Sequence, residues 1–254
     1  MSHNNNDECR ILCAPASSLL DTIHDGQASM ILTDPPYNIG TFMRGRHNPP
    51  NMRGMRNNSI QNQSWDTMTP DEWERLIDHT LRDCSRILRD GGTLIMFTTI
   101  RNASTIIRLG QEHNLYYKTV GTWHKTRPMP VNMRIQLIPS CEQWVVMTRL
   151  PSRRHHTFHP NGPEHDFIQS DGPTPTETRY GRHPTQKPVS ILQHMIRLFT
   201  DPDDLVVDPF QGSGSTGVAS LLEHRRYAGC DTSAHWTRIA RQRCTDALTQ
   251  RPLL

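Results

Sequence analysis

The chain has 254 residues, which favours one α/β core with embellishments over two cores, and its formal charge of +3 is too small to indicate a polyanionic partner. Six scattered cysteines without C-x-x-C spacing exclude a disulfide framework and a zinc ribbon. No apolar run reaches the roughly 18 residues of a membrane-spanning helix, and the first residues lack the apolar core of a signal peptide, so we expect a single domain over residues 1–254 in a cytoplasmic protein.

Short apolar runs alternate with helical patterns along the chain, which is typical of a β-sheet flanked by helices. Such an alternation predicts the α/β class. Seven runs predict strands that form a single sheet, at residues 10–13, 28–33, 93–98, 115–124, 141–148, 204–208 and 226–230.

The clearest helix is predicted to begin at Thr69, because Pro70 suits a first turn and Glu72 completes a capping box. We expect Gly91 to end it. A second helix is expected from about Pro188 to residue 199, a third after residue 214, and a fourth over residues 232–248. The apolar positions of the first helix predict its buried face: Trp73, Leu76, Ile77, Leu81, Cys84, Ile87 and Leu88.

Two segments, residues 38–64 and 150–182, show no apolar period and are predicted to be long functional loops. Each overlaps a stretch without Asp or Glu, at residues 35–65 and 143–163. Their cations are therefore candidate phosphate contacts. They include Arg44, Arg46, Arg53, Arg56, Arg153 and Arg154.

The first motif is Asp34-Pro35-Pro36-Tyr37, directly after the predicted strand at residues 28–33. The prolines prevent continuation as helix or strand, at the sheet edge where α/β proteins bind ligands. The Asp34 carboxylate and the Pro35 carbonyl would offer two acceptors to an amino group, and Tyr37 a flat partner for a planar base. A rigid proline turn with an N-capping aspartate fits the same residues.

The second motif is the glycine turn DPFQGSGSTG at residues 208–217, which follows a buried run. Glycines allow a ligand to approach the backbone there, and Asp231, at the end of the next predicted strand, would hold ribose hydroxyls. Gly212, Gly214 and Gly217 also match the dinucleotide fingerprint. The turn alone therefore leaves a nicotinamide or flavin enzyme open.

Three motifs occur in order: DPPY at residues 34–37, HPTQKP at residues 183–188 and DPFxGxG at residues 208–214. In this order they resemble the permuted (beta-group) class of DNA amino-methyltransferases, whose catalytic half precedes the cofactor half. Trp65-Asp66, Gly91-Gly92 and residues 123–130 extend the resemblance, which covers most of residues 10–245.

The resemblance implies a Rossmann-like sheet of seven mostly parallel strands with helices on both faces, in which residues 141–148 run antiparallel to residues 115–124. It implies S-adenosylmethionine as cofactor and no metal. The implied catalytic residues are Asp34, Pro35, Pro36 and Tyr37. The implied cofactor residues are Asp208, Phe210, Gly212, Gly214 and Thr216 near the methionine half, Asp231 at the ribose, and Thr185 and Lys187 at the carboxylate end.

Double-stranded DNA is the implied partner. Segment 38–64 would serve as catalytic and DNA loop, and segment 150–182 as target-recognition segment. Homodimers are common in the family, so a homodimer stays open. The implied DNA contacts are Arg44, Arg46, Arg53, Arg56, Lys125, Arg153 and Arg154.

The resemblance implies methylation of a flipped base at an exocyclic amine. Asp34 at the first motif position favours adenine N6 over cytosine N4, which stays as an alternative. Carbon-5 methylation would need a cysteine nucleophile, and neither motif contains one.

One departure concerns Cys13-Ala14-Pro15, where the family usually has Gly-Asp after its first short strand. An acidic contact to the cofactor's adenine is therefore expected to be missing, which keeps a non-catalytic nucleic-acid-binding relative open. A zinc site at His155, His156, His159 and His165 is disfavoured, because regularly spaced Cys or carboxylate ligands are lacking.

Overall fold

The computed structural model describes residues 8–38, 68–128, 137–151 and 157–250. These residues form eight strands and six helices. In chain order they are β1 (Cys9–Cys13), α1 (Ala16–Leu20), β2 (Ala28–Thr33), α2 (Pro70–Ile87), β3 (Leu88–Thr98), α3 (Ile100–Glu112), β4 (Leu115–Lys125), β5 (Cys141–Arg149), β6 (Phe167–Ser170), α4 (Val189–Phe199), β7 (Leu205–Asp208), α5 (Ser215–Leu222), β8 (Arg226–Asp231) and α6 (Ala234–Gln250).

The strands form one sheet in the order β1-β8-β7-β2-β3-β5-β4-β6. Within it β5 runs antiparallel to both of its neighbours, β3 and β4, and each other neighbouring pair is parallel. Val145 lies opposite Val120 across the β5–β4 pair. The mostly parallel α/β sheet and its antiparallel strand are thus confirmed.

The sheet has one strand more than the seven that the sequence predicts. The additional strand, β6, pairs in parallel with the end of β4, where Phe167 lies opposite Thr122 and Ser170 opposite Lys125. It falls in segment 150–182, which we expected to lack regular structure. Four residues at a half-exposed sheet edge need no buried apolar run, so the sequence gives no strand pattern there.

Helix α2 begins as predicted, with a reciprocal capping box between Thr69 and Glu72. Its predicted end was wrong. The helix stops at Ile87, and Gly91, with a φ of 77°, lies inside β3, where the register with β2 shifts. Helices α4, α5 and α6 were predicted near their observed positions, whereas the short α1 and the helix α3 were not predicted.

Alternate residues of the sheet enter two separate apolar layers. On β3, Leu94 and Met96 pack with α2 and α3, while Ile95 and Phe97 pack with α4 and with Ala219 of α5. Helices therefore cover both faces, as predicted. Among the described residues, no helix is long and apolar enough to cross a membrane.

The order in which the chain adds strands to the sheet reverses between β2 and β7, which is the topological switch point of the sheet. From β2 the chain proceeds through α2 to β3 on one side, and from β7 through α5 to β8 on the other. The connections leave a crevice at the carboxyl ends of these strands, where open α/β sheets bind ligands. Both sequence motifs begin at this crevice, at Asp34 and Asp208.

Candidate active site

A cavity of about 490 Å³ opens at this carboxyl edge, within the range of roughly 300–1,000 Å³ that is usual for ligand sites. All four residues of the DPPY motif line it. Most residues predicted for the cofactor line it as well: Asp208, Phe210, Gly212, Thr216, Asp231, Thr185 and Lys187. The fold thus brings the two motifs to one space.

The DPPY turn is fixed through its backbone. The indole Nε1 of Trp73, on α2, donates to the Pro36 carbonyl at 2.7 Å, and Nδ2 of Asn102, on α3, donates to the Tyr37 carbonyl at 2.9 Å. Two helices that pack on one face of the sheet therefore hold the turn. This leaves its side chains facing the cavity.

The Asp34 carboxylate does not cap a helix. Its Oδ1 accepts a 2.5 Å hydrogen bond from the Tyr37 hydroxyl, and its Oδ2 accepts from the ammonium of Lys187. The reading of the motif as a proline turn with an N-capping aspartate was therefore wrong.

Lys187 differs from its predicted role as a partner for the cofactor's carboxylate. Its side chain is only 5% exposed, and it contacts two anions of the protein: Oδ2 of Asp34 and, at 3.1 Å, Oε2 of Glu142. Because two carboxylates already neutralise the Lys187 ammonium, it would attract a third carboxylate only weakly.

Lys125, predicted as a DNA contact, belongs to the same group of charged side chains and is partly exposed. Its ammonium pairs with Oε1 of Glu142 and lies 5.0 Å from the centre of the Trp123 ring. A row of alternating charges results, formed by Asp34, Lys187, Glu142 and Lys125. Lys125 therefore lies in the charge network of the cavity, and its contact with DNA stays a prediction.

Two charges of this row, those of Glu142 and Lys187, are favoured in spite of burial. Burial disfavours the charged form of Glu142, but Lys187 and Lys125 outweigh it and lower the pKa of Glu142 to about 2. Burial opposes a charged Lys187 in the same way, and Asp34 and Glu142 outweigh it, so the pKa of Lys187 is raised. For Asp34, burial dominates over the attraction of Lys187 and raises its pKa.

Tyr37 remains a neutral phenol in this setting. Burial and the nearby carboxylates of Asp34 and Glu142 raise its pKa well above the ordinary value. The hydroxyl donates to Asp34 and lies 3.4 Å from Oε2 of Glu142. Tyr37 is thus a donor with two anionic acceptors within reach.

Glu142 was missed at the level of sequence. It lies at the start of β5, in a segment that reads as a buried strand. Because β5 is antiparallel, its first residues meet the carboxyl ends of the parallel strands. An acid at the start of the strand that the family resemblance implied to be antiparallel was the available signal.

The glycine turn is organised by two aspartates. Asp208 is 2% exposed and accepts hydrogen bonds from the Thr33 hydroxyl at 2.7 Å and from the Phe210 amide at 3.1 Å. Burial raises the pKa of Asp208 to about 6, although these donors favour its ionised form. Asp208 therefore supports the turn in addition to lining the cavity.

Asp231 lies opposite the glycine turn, at the end of β8. Its carboxylate accepts from the amides of Gly212, at 3.2 Å, and Ser233, at 2.7 Å. Gly212 has a φ of 51°, and a Cβ there would lie 3.4 Å from the ring of His183, so the absent side chain leaves room above the turn. A cavity edged by a carboxylate and a side-chain-free turn fits a nucleoside cofactor.

Gly214 does not line the cavity. It has a φ of 79°, and a Cβ built there would lie 2.7 Å from Cβ of Ala240 on α6. The absent side chain therefore allows α6 to pack closely against the turn, which corrects its predicted contact with the cofactor. Arg243, on α6, adds a 2.7 Å hydrogen bond to the Ser213 carbonyl.

The segment before α4 closes the other side of the cavity. Nε2 of Gln186 donates to the Glu177 carbonyl at 3.1 Å, and its Oε1 accepts from the Ser213 hydroxyl at 3.0 Å. Burial, with the charges of Lys187 and Arg243, lowers the pKa of His183 to about 4. The HPTQKP segment is thus linked to the glycine turn through Gln186.

The family departure at Cys13-Ala14-Pro15 also lies at the cavity. Ala14 and Pro15 line it, and the Ala14 amide donates to the Asp231 carbonyl at 3.1 Å. No acidic side chain of this segment faces the cavity within the part of the chain that the structure describes.

Several predicted contacts lie outside the described residues: Arg44, Arg46, Arg53, Arg56, Arg153 and Arg154, with His155 and His156 of the disfavoured zinc site. Of the other two histidines, His159 pairs with Asp201 at 2.8 Å. No group of three His, Cys, Asp or Glu side chains suited to a metal occurs within residues 8–38, 68–128, 137–151 and 157–250.

Comparison with known proteins supports the resemblance. Type II methyltransferase M2.MboI of Moraxella bovis is 27% identical over 228 residues, covering 86% of this chain and 81% of that protein. Type II methyltransferase M2.LlaDCHI of Lactococcus lactis subsp. cremoris is 25% identical over 252 residues, covering 93% and 89%.

Solved structures share the fold. The M1.HpyAVI–SAM complex has a TM-score of 0.70 at 21% identity, over 92% of this chain and 98% of that one. The PvuII DNA methyltransferase, described as cytosine-N4-specific, has a TM-score of 0.72 at 15% identity, over 96% and 92%.

A family model described as DNA methylase matches residues 28–242, which is most of the chain. The match excludes the nicotinamide or flavin enzyme that the glycine turn left open. The chain belongs to the DNA methylase family, the S-adenosylmethionine-dependent amino-methyltransferases that modify adenine N6 or cytosine N4.

Proposed function

We propose that this chain methylates N6 of adenine in double-stranded DNA, with S-adenosylmethionine as methyl donor. The observation that carries the proposal is the shared cavity, in which Asp34 of the first motif and Asp231 of the cofactor half face one space of about 490 Å³. One methyl donor and one extruded base would meet there.

The chemical task is to make a weak nucleophile react. The lone pair of an exocyclic amine is delocalised into the base, and hydrogen bonds to the Asp34 carboxylate and the Pro35 carbonyl favour a more tetrahedral nitrogen aimed at the methyl group. S-adenosylmethionine supplies an electrophilic methyl group on a sulfonium. The half-buried ring of Tyr37 would stack on the extruded base and return on the order of 1–3 kcal/mol of the unstacking cost.

For the cofactor, we propose that Asp231 accepts hydrogen bonds from the ribose hydroxyls, and that Phe210, Gly212 and Thr216 contact the methionine half. Thr185, at the cavity wall, is the proposed partner of the carboxylate end. Lys187 is left out of this set because Asp34 and Glu142 already neutralise it.

Adenine is proposed over cytosine because of Asp34. In the permuted class, an aspartate at this position usually accompanies adenine, and a serine more often accompanies cytosine. The likeness in fold to a cytosine-N4-specific enzyme keeps the second base as a candidate, since the same two acceptors suit either amine.

Contact with DNA is proposed for segments 38–64 and 150–182, including Arg44, Arg46, Arg53, Arg56, Arg153 and Arg154. Their cations would bind phosphates at any sequence, and bases would be read by the second segment. The single domain, the cytoplasmic location and the homodimer stay predictions.

The test is methyl transfer from labelled S-adenosylmethionine to mixed-sequence double-stranded DNA, followed by digestion to nucleosides and mass spectrometry. We expect N6-methyladenine. N4-methylcytosine alone would overturn the base assignment, and methylation of RNA alone would overturn the substrate. Binding of cofactor and DNA without transfer would identify the non-catalytic relative.

A further inference from the structure

Tyr37 and Lys187, which both donate hydrogen bonds to Asp34, also lie close to a second acceptor, the carboxylate of Glu142. The Tyr37 hydroxyl binds Oδ1 of Asp34 and lies 3.4 Å from Oε2 of Glu142. The Lys187 ammonium binds Oδ2 of Asp34 and lies 3.1 Å from the same Oε2 of Glu142. One carboxylate oxygen thus stands within reach of both groups.

This geometry matters because Asp34 has to accept a new partner. An incoming amino group competes with Tyr37 and Lys187 for the two carboxylate oxygens. Lys187 is 5% exposed, so an ammonium released from Asp34 without another anion would be stranded in a buried site. Such a penalty would slow the approach of the base.

We propose that Glu142 is a positioning residue, which receives Lys187 and Tyr37 when the target amine binds Asp34. The inference rests on the proposed function and adds a role for a residue outside the three motifs. Only a small shift is required, since the Lys187 nitrogen already lies at hydrogen-bond distance from Glu142.

Lys125 stabilises the ionised form of Glu142 and orients its carboxylate. It pairs with Oε1, the oxygen that does not face Lys187 and Tyr37, and its side chain is 28% exposed. Glu142 therefore remains ionised and oriented, with Oε2 directed to the donors of Asp34. In the complex, the two lysines would flank Glu142, and Asp34 would be available to the base.

The first test compares single-turnover methylation by the full-length wild-type protein and by Glu142→Gln, which keeps the size of the side chain and removes its charge. We expect the rate to fall by about tenfold or more, while the dissociation constant of S-adenosylmethionine changes by less than about threefold. Glu74→Gln, which removes an exposed carboxylate paired with Arg108, is the matched control and should behave as wild type.

A mutant cycle with Lys187→Gln separates positioning from a general structural defect. In Lys187→Gln there is no buried ammonium for Glu142 to receive. We therefore expect Glu142→Gln to lower the single-turnover rate by a clearly smaller factor in the Lys187→Gln background than in the wild type. An equal fold-loss in both backgrounds would overturn the inference. Thermal unfolding of each variant checks the fold.

A structure of the wild-type protein with DNA and a non-reactive analogue of S-adenosylmethionine avoids any folding defect of the variants. We expect the Lys187 nitrogen and the Tyr37 hydroxyl on Glu142, with the target amine on Asp34. Both donors still on Asp34 would contradict the inference. Wild-type protein that methylates no DNA would instead overturn the proposed function, whereas full activity of Glu142→Gln would overturn only this inference.

Discussion

The Thr33 hydroxyl donates a 2.7 Å hydrogen bond to Oδ1 of Asp208, joining the last residues of β2 and β7 across 175 positions of sequence. Both side chains are buried. The bond links the strand that ends at the DPPY motif to the strand that ends at the glycine turn. It therefore fixes the spacing of the two halves of the active site.

Thr33→Val keeps the shape of the side chain and removes this donor. We expect the free energy of unfolding to fall by about 1–3 kcal/mol near pH 8, because the ionised Asp208 loses a hydrogen bond. The pKa of Asp208 is about 6, so the loss should be smaller near pH 5, where the carboxyl is protonated. Urea denaturation at both values measures this, with Thr33→Ser as control. An equal loss in the free energy of unfolding at both pH values would contradict a hydrogen bond from Thr33 to the ionised form of Asp208.

Asp34→Asn tests the acceptor itself. The amide keeps the size of the side chain but loses its charge, and Lys187 retains Glu142 as partner. We expect the rate of methyl transfer to fall by about 10²-fold or more, with binding of S-adenosylmethionine nearly unchanged in calorimetry. Asp71→Asn, at an exposed position in the first turn of α2, serves as control. Near-normal turnover would show that Asp34 is not the acceptor.

Gly214→Ala should destabilise the fold. Its φ of 79° disfavours a side chain, and the new Cβ would lie 2.7 Å from Cβ of Ala240. A loss of about 1–3 kcal/mol in the free energy of unfolding is expected. Gly172→Ala is the control, since nothing lies within 4 Å of its Cβ. Cofactor binding by the folded fraction should persist, and its selective loss in a stable variant would return Gly214 to the cofactor site.

His183 should contribute to the acid sensitivity of the fold. Burial, with Lys187 and Arg243, lowers its pKa to about 4, below its ordinary value of 6.5. The folded state thus prefers the neutral ring. Its stabilisation is complete above about pH 6.5 and is lost as the pH falls through 4, by about 3 kcal/mol in total.

Chemical denaturation of the wild type and of His183→Gln between about pH 4 and pH 7 isolates this contribution. The wild type should lose more stability than the variant as the pH falls. His24→Gln, at an exposed position, is the control and should follow the wild type. Parallel curves for the wild type and His183→Gln would mean that His183 titrates equally in both states.

The α/β class and the positions of both motifs could be predicted from local patterns, and the order of the two halves from the family resemblance. Apolar period and turn chemistry are local properties, so seven of the strands and the capped start of α2 could be read from neighbouring residues. Each motif follows directly after a predicted strand, at Asp34 and at Asp208. Parallel strands end at the same edge of a sheet, so the two motifs were expected to meet there.

The partners of the buried charges could be identified only in the folded protein. Lys187 contacts Asp34 across 153 positions, and Tyr37 approaches Glu142 across 105. Pairings at such separations depend on strand order and on the reversed direction of β5, which no local pattern encodes. For the same reason, the sequence did not predict β6 or the packing of Gly214 against α6. The edge strand β6 forms because β4 offers it a pairing partner, and the close approach at Gly214 depends on the position of α6.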